Sequence, residues 1–327
     1  MKQIKSDFDP ENYMINLLTK PQTCRELLET YEAKGHRSKG EKLRFGGVDG
    51  RDVYNITAPF EDEGDMVIAG RVEYRNTEYS DIIFFTCRNN IWEPRENTIS
   101  LKLQDPFYSR IHGELIIGGV EVRPYKKEAG KLCWRTLFYK GRSINELKHF
   151  ATGPDWMKDI RLVQLEDVRI GVFTRPMSKI GGRGRIGFTI IDTLDELNSD
   201  VISGAALLKE QFVRDEWGGA NEAHLLSNGL VGVLGHIACY DEKENRHYYS
   251  AAFSLNPCTR EVSPMKIIAA RGDFETGDSK SPELADVIFS GGILRKLDGK
   301  SVLYVGVSDA EAHRIIIPDP FVEYERE

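Results

Sequence analysis

The chain has 327 residues, 40% of them hydrophobic and 29% charged, with a formal net charge of -7 and a pI near 5.7. That length allows one large domain or two ordinary ones, each able to bury a core. The acidic balance leaves no basic footprint for nucleic acid or an anionic membrane surface, and no run approaches the roughly 18 apolar residues of a membrane span.

The first residues, MKQIKSDFDPENY, carry charge without the apolar core of a secretory signal. Residues 10 to 34 read as helical: Asp9 offers a cap, Pro10 suits a first turn, and Tyr13, Leu17, Leu18, Leu27, Leu28 and Tyr31 recur at helical spacing around a break at Pro21. Gly35 ends the segment. The expected division is a helical segment over 1–40 and a second unit over 41–327.

From there the chain reads as strands. MVIAGRVEY, DIIFFTC, ELIIGGVEV, RTLFYKG, RIGVFTRP, GRIGFTII, LVGVLGHIACY, HYYSAAFSL, DVIFSGGIL and SVLYVGVS are short, rich in β-branched or aromatic residues, and bounded by turn residues. The only further helical signals are a turn at 143–149 and an amphipathic stretch over 194–213. Many short strands in so long a chain call for closure or radial repetition, because open sheets would expose too many edges. A polar residue recurs ahead of successive strand sets: Asn55, Asp105, Asp159, Asn221 and Asp286, at intervals of about 50 to 65 residues. The pattern predicts an all-β, five-bladed β-propeller in which these residues meet at one mouth of the channel.

The cysteines, Cys24, Cys87, Cys133, Cys239 and Cys258, are scattered and odd in number, with no CxxC pair. This argues against a disulfide framework or a zinc site and fits reduced thiols in a cytoplasmic protein. No metal-ligand spacing is present, and neither GxxxxGK[ST] nor GxSxG occurs, so SKIGGRGRIG reads as a hairpin turn.

Several residues carry two readings. Asp105, before Pro106, either starts a turn or supplies an acid at the mouth, where clustered carboxylates raise one another's pKa. Arg71, Glu73 and Arg75 in GRVEYR alternate onto one face, either a solvated edge or a surface for hydroxyls and an anion. His236, in an apolar strand, is a core histidine or part of a cradle. In the second reading Arg135, Arg161, His236 and Tyr249 together hold a phosphate through charge-assisted hydrogen bonds, with Lys158, His247 and Tyr248 close by in sequence.

Taken in order, NITAPF, GRVEYR, QDPF…GELIIGGVEV, MKDIRLV…RIGVFTRP, GVLGHIA, DVIFSGGI and LYVGVSDAEAH resemble the dual-activity β-1,2-mannosyltransferase/phosphorylase family, related to the five-bladed mannosyl-oligosaccharide phosphorylases. The resemblance runs over residues 43 to 321. It implies that Asp105 is the general acid, working through a sugar hydroxyl while phosphate displaces the leaving group with inversion. It also implies that Asn55, Arg71 and Asp309 hold the cleaved sugar, that Arg135, Arg161, His236 and Tyr249 hold phosphate, and that Lys158 and Asp159 lie between them. Where the related phosphorylases carry an acidic residue before Asp-Pro and an arginine after it, this chain has Gln104 and Phe107. The implied partners are an oligosaccharide and inorganic phosphate, with no cofactor and no metal; a homo-oligomer is compatible. The other readings are a propeller glycosidase using Asp105, Asp159 and Asp286 or Asp309, and a non-catalytic sugar-binding propeller. A phosphorylase needs one acid and a positive pocket, whereas an inverting hydrolase needs a second carboxylate to activate water.

Overall fold

The computed structural model describes residues 20–35, 38–177, 181–209 and 211–326. The expected helix splits accordingly. Its part over 10–19 lies outside the described residues, and the helix that is described, α1 (Cys24–Glu32), starts beyond Pro21. Thr23 and Glu26 close it in a reciprocal capping box, and Cys24, Leu27 and Tyr31 form its buried face.

A two-residue strand, β1 (Glu41–Lys42), precedes a five-stranded sheet of β2 (Asp52–Tyr54), β3 (Phe60–Asp62), β4 (Asp65–Glu73), β5 (Asp81–Arg88) and β6 (Ile91–Pro94). A four-stranded sheet follows, with β7 (Gln104–Ile111), β8 (Glu114–Pro124), β9 (Leu132–Gly141) and β10 (Lys148–Thr152). The next contains β11 (Arg161–Gln164), β12 (Ile170–Thr174), β13 (Gly187–Ile191) and β14 (Ala206–Leu207). Eight strands form the last: β15 (Trp217–Leu225), β16 (Val231–Tyr240), β17 (Arg246–Leu255), β18 (Lys266–Ala269), β19 (Asp286–Arg295), β20 (Lys300–Val307), β21 (Glu311–Pro318) and the returning β1. Within it β17 and β19 meet in a parallel bridge of only two residue pairs, His247 with Asp286 and Tyr248 with Val287. The other pairings between named strands are antiparallel, so the fold is all-β. By pairing with β21, β1 covers an otherwise open edge.

The cores lie between sheets. Phe107, Ile116, Phe138, Ile160 and Val172 fill one, and Leu234, Ile288, Leu303, Val305 and Phe321 another. Strands buried on both faces need apolar residues at successive positions, which explains unbroken runs such as VGVLGHIA. Along the chain, strands from separate sets lie side by side: β7 against β4 and β11, and β11 against β15, while β15 also lies against β19.

Two expectations change. The helix expected over 194–213 is a 3-10 turn at Leu194–Glu196 and a short α2 (Ser199–Ser203), which ends at Gly204. Ala206 and Leu207 then pair with β13 while Leu208 and Phe212 enter the core, so the apolar spacing serves an edge strand and a loop. Conversely, β15, WGGANEAHL, has too many glycine and polar residues to read as a strand.

Candidate active site

Asn55, Asp105, Asp159 and Asp309 share one backbone state: φ is 44°, 49°, 58° and 49° respectively. Asn and Asp enter this left-handed region more readily than other side-chain-bearing residues, and such strain persists only where the surroundings enforce it. For Asp105 the enforcing feature is a bulge in β7, where pairing with β8 shifts between Gln104 and Phe107.

Asp105 is buried, with hydrogen bonds on one carboxylate oxygen and a cation facing the other. Its Oδ1 accepts from Asn55 Nδ2 at 2.8 Å and from Arg71 Nη1 at 3.0 Å, and Lys158 Nζ stands 3.6 Å from Oδ2. Arg71 is itself held: Glu73 Oε2 accepts from its Nη2 at 2.8 Å and Nε at 3.1 Å, and the guanidinium lies 4.8 Å from the Tyr54 ring centroid. Glu73 also accepts from Tyr54, Ser80 and, at 2.7 Å, Lys280. Burial alone would raise the Asp105 pKa, but Arg71 and Lys158, with the hydrogen bonds from Asn55 and Arg71, hold it well below the usual carboxylate range. Asp309 faces the same charges and behaves oppositely. Burial raises its pKa, Asp105 adds to the rise, and Arg71 and Lys158 oppose it without winning. The mutual elevation expected of clustered carboxylates therefore falls on Asp309, and Asp105 is ionised.

Asp159 stands at a second corner. Arg175 Nη1 is 3.4 Å from its Oδ2, yet neither carboxylate oxygen has a hydrogen-bond partner among the described residues. A Cβ placed on Gly219 of β15 would lie 2.9 Å from His236 Cε1, 3.0 Å from Arg175 Cδ and 3.1 Å from Asp159 Oδ2. Glycine is required because these three side chains converge over its backbone. His236 Nδ1 is 2.8 Å from Asn221 Oδ1, and its ring stacks on Tyr248 with centroids 5.4 Å apart. Burial brings the His236 pKa down to about 3; Asp159 opposes this, while Arg175, Lys158 and Arg161 reinforce it. The ring is neutral near pH 7. With Nδ1–H donating to Asn221, Nε2 remains an acceptor. Arg161 Nε donates to the Asn221 carbonyl at 2.6 Å, and its guanidinium lies 4.2 Å from the Phe107 ring centroid.

Asn55, Arg71, Asp105, Lys158 and Asp309 thus form one electrostatic group, and Asp159, Arg161 and His236 a second, with Lys158 facing both Asp105 and Asp159. Two expected phosphate residues do not join them. Tyr249 pairs with Ile237 across the sheet, packs in the outer core and donates to Asp286 at 3.3 Å. The site-facing ring is its neighbour Tyr248, because alternation along a strand turns consecutive side chains to opposite faces. Arg135 is engaged with Glu121 at 2.7 Å. Asp286, read as a mouth residue, instead accepts from His247 and Tyr249, and Arg75 lies beyond β4, paired with Asp52 and Asp278.

Sequence reasoning missed Arg175, Lys280, Tyr54 and Gly219. A signal existed for Arg175: it follows the apolar run IGVFT directly, at a strand end. Lys280 lies in a loop after β18 and carried none.

The family model described as "Protein of unknown function (DUF1861)" matches residues 29–323. No curated protein matches the chain. Among solved structures, a mannose phosphorylase of Leishmania mexicana in complex with phosphate ion is 39% identical, with 91% of this chain and 93% of that one covered and a TM-score of 0.84. A GDP-Man-dependent mannosyltransferase of the same organism is 34% identical over 92% of this chain and 95% of that one, with a TM-score of 0.83. The chain belongs to this mannosyltransferase/phosphorylase family, and it is an enzyme. A β-1,2-mannobiose phosphorylase of Listeria innocua, 12% identical over 95% of this chain and 97% of that one with a TM-score of 0.60, shares the fold. Family membership removes the non-catalytic reading. No helix among the described residues is long and apolar enough to cross a membrane.

Within this family fold, the Asp105 corner offers a carboxylate that can take or return a proton, braced by cations. The Asp159 corner offers a neutral imidazole, two buried guanidinium groups and unpaired acceptors. The second corner thus sets buried guanidinium donors beside an ionised carboxylate without hydrogen-bond partners among the described residues.

Proposed function

We propose that the enzyme transfers mannose between a β-1,2-mannosidic linkage and inorganic phosphate, by direct displacement with inversion at the anomeric carbon. The observation that carries this reading is the cationic corner of Lys158, Arg161 and Arg175 around a neutral His236, beside Asp105. In this reading Arg161 and Arg175 donate to phosphate and His236 Nε2 accepts from the protonated oxygen of the hydrogen phosphate ion, with no further cofactor. Asn55, Arg71 and Asp309 hold the mannose, and Lys158 and Asp159 stand at its boundary with phosphate. The fold behind the reading is a five-bladed propeller over 41–327, with the eight-stranded sheet counted as two blades divided at its short parallel bridge.

The ionised state of Asp105 bears on direction. In synthesis the carboxylate takes the proton of the acceptor hydroxyl, through a hydroxyl of the bound sugar, as the new bond forms and phosphate departs from mannose 1-phosphate. In phosphorolysis the same proton must first be on Asp105. The resting charge state favours the synthetic step kinetically and leaves the equilibrium untouched. Arg71 and Lys158 also stabilise the negative charge that Asp105 regains when it gives the proton up.

The test is incubation of β-1,2-mannobiose with and without phosphate, reading mannose 1-phosphate, alongside mannose 1-phosphate and GDP-mannose offered as donors. Mannose 1-phosphate appearing only with phosphate supports the proposal. Free mannose released equally without phosphate supports a hydrolase, and turnover of GDP-mannose alone supports a sugar-nucleotide transferase like the 34% identical relative.

A further inference from the structure

Away from this site, three metal-ligating side chains meet where α1 rests on the last sheet. Cys24 is the first residue of α1, Glu216 immediately precedes β15, and Cys239 lies near the end of β16. The two sulfurs and a Glu216 carboxylate oxygen all lie within 4.8 Å of one another. Glu216 is fixed by the Cys24 backbone N–H, which donates to its two oxygens at 2.9 and 2.8 Å. Glu216 is half-buried and makes no ion pair among the described residues.

A disulfide between the two sulfurs would make no use of the carboxylate beside them, whereas a divalent cation would use all three donors. We propose that Cys24, Cys239 and Glu216 bind a thiophilic divalent cation of the Zn2+ class, with water in a fourth position, and so fasten α1 to β16. On binding, the two thiols lose their protons to solvent, giving two metal–sulfur bonds and one metal–oxygen bond with no change of oxidation state. His247, the cross-strand partner of Cys239, is not the fourth ligand, because its Nδ1 is 2.5 Å from Asp286 and its Nε2 3.5 Å from Asp241. The scattered cysteines gave no hint of this, since the donors lie at positions 24, 216 and 239.

The test uses the full chain, stripped by a chelator under reducing conditions and titrated with Co2+ and Zn2+. The expected result is one tight equivalent, thiolate-to-Co2+ charge-transfer bands with tetrahedral visible bands, and release of about two protons per cation near pH 7. Cys24→Ser or Cys239→Ser should weaken binding at least about 100-fold and Glu216→Gln roughly tenfold. Cys87→Ser and Cys258→Ser should leave binding unchanged. The bands and the proton count are read on the unsubstituted chain, so a variant that fails to fold does not blunt the test. Binding without sulfur bands, equal binding by the Cys24→Ser/Cys239→Ser double variant, or a reducible Cys24–Cys239 disulfide in the purified protein would overturn the proposal. None of these readouts depends on the phosphorylase reaction.

Discussion

Each of two corners of the candidate site holds a buried aspartate, and the two have different surroundings. At the first, Asp105 has Asn55, Arg71 and Lys158 around it, and Arg71 is braced by Glu73, Ser80 and Tyr54. At the second, Asp159 has one guanidinium at 3.4 Å and no hydrogen bond on either oxygen among the described residues, beside a histidine that burial keeps neutral. Satisfied polar groups hold a geometry; buried groups without partners cost free energy until a ligand supplies them. On the proposed function, the contrast separates a preorganised proton-handling corner from one completed by ligand. Asp309 sharpens it, since it sits near the same cations as Asp105 yet has its pKa moved the other way.

The largest effect should follow from Asp105→Asn. Turnover should fall by on the order of 10² to 10⁴, because Asn cannot carry the proton, while circular dichroism shows the fold retained. The melting temperature should also drop, since Arg71 and Lys158 lose their buried counter-ion. Near-normal turnover in a folded variant would remove Asp105 from the chemistry.

Next comes the second corner. Arg175→Ala, which removes the guanidinium beside Asp159, should raise the phosphate concentration needed for half-maximal rate. The loss of one charge-assisted contact, about 1.5 to 3 kcal/mol, corresponds to roughly 10- to 150-fold. Gly219→Ala should act in the same direction by pushing a methyl among His236, Arg175 and Asp159. A uniform loss of turnover with unchanged phosphate dependence would contradict the division of the pocket.

Stability should distinguish the two carboxylates by sign. Asp309 has a folded pKa above its unfolded one, so its favourable contribution is full below the unfolded value and lost as pH rises through the folded one. Above the unfolded value that contribution is being lost, so near pH 7 Asp309→Asn should raise the melting temperature, by about 2 to 4 °C for each kcal/mol relieved. Asp105, with its folded pKa depressed, contributes above the unfolded value and loses that contribution as pH falls through the folded one. Thermal melts of the two Asn variants between about pH 2 and 8 check both signs, the Asp105 contribution being lost below the unfolded carboxylate value of about 4. The smallest effect should come from the tyrosine pair: Tyr249→Phe, on the core side, should change turnover less than about threefold, and Tyr248→Ala, on the site side, should change it more. Equal effects would place Tyr249 back in the pocket.

The all-β class was legible because strands buried between sheets leave long apolar runs such as ELIIGG and VGVLGHIA. Asn55, Asp105 and Asp159 were legible because a left-handed bend ahead of a strand selects Asn or Asp and recurs once per strand set. Asn221 and Asp286 matched that spacing without the bend, and Asp286 turned to His247 instead. Side-chain direction was the harder part. Tyr248 and Tyr249 are adjacent in sequence and face opposite sides of β17, and the choice between them depends on the strand's pairing with β16. Arg175 was hidden because its partners, Asp159 and Gly219, come from other strand sets. Lys280 was hidden because a loop with no periodicity carries it to Glu73 across 207 residues of sequence.

The division of the pocket is tested most directly by a crystal structure of the enzyme with phosphate and mannose bound. The expected result is phosphate within hydrogen-bonding distance of Arg161, Arg175 and His236, with the mannose against Asn55, Arg71 and Asp309 and its anomeric carbon facing the anion. Phosphate bound at Arg135 or elsewhere on the surface, with the Asp159 corner filled by sugar alone, would contradict it.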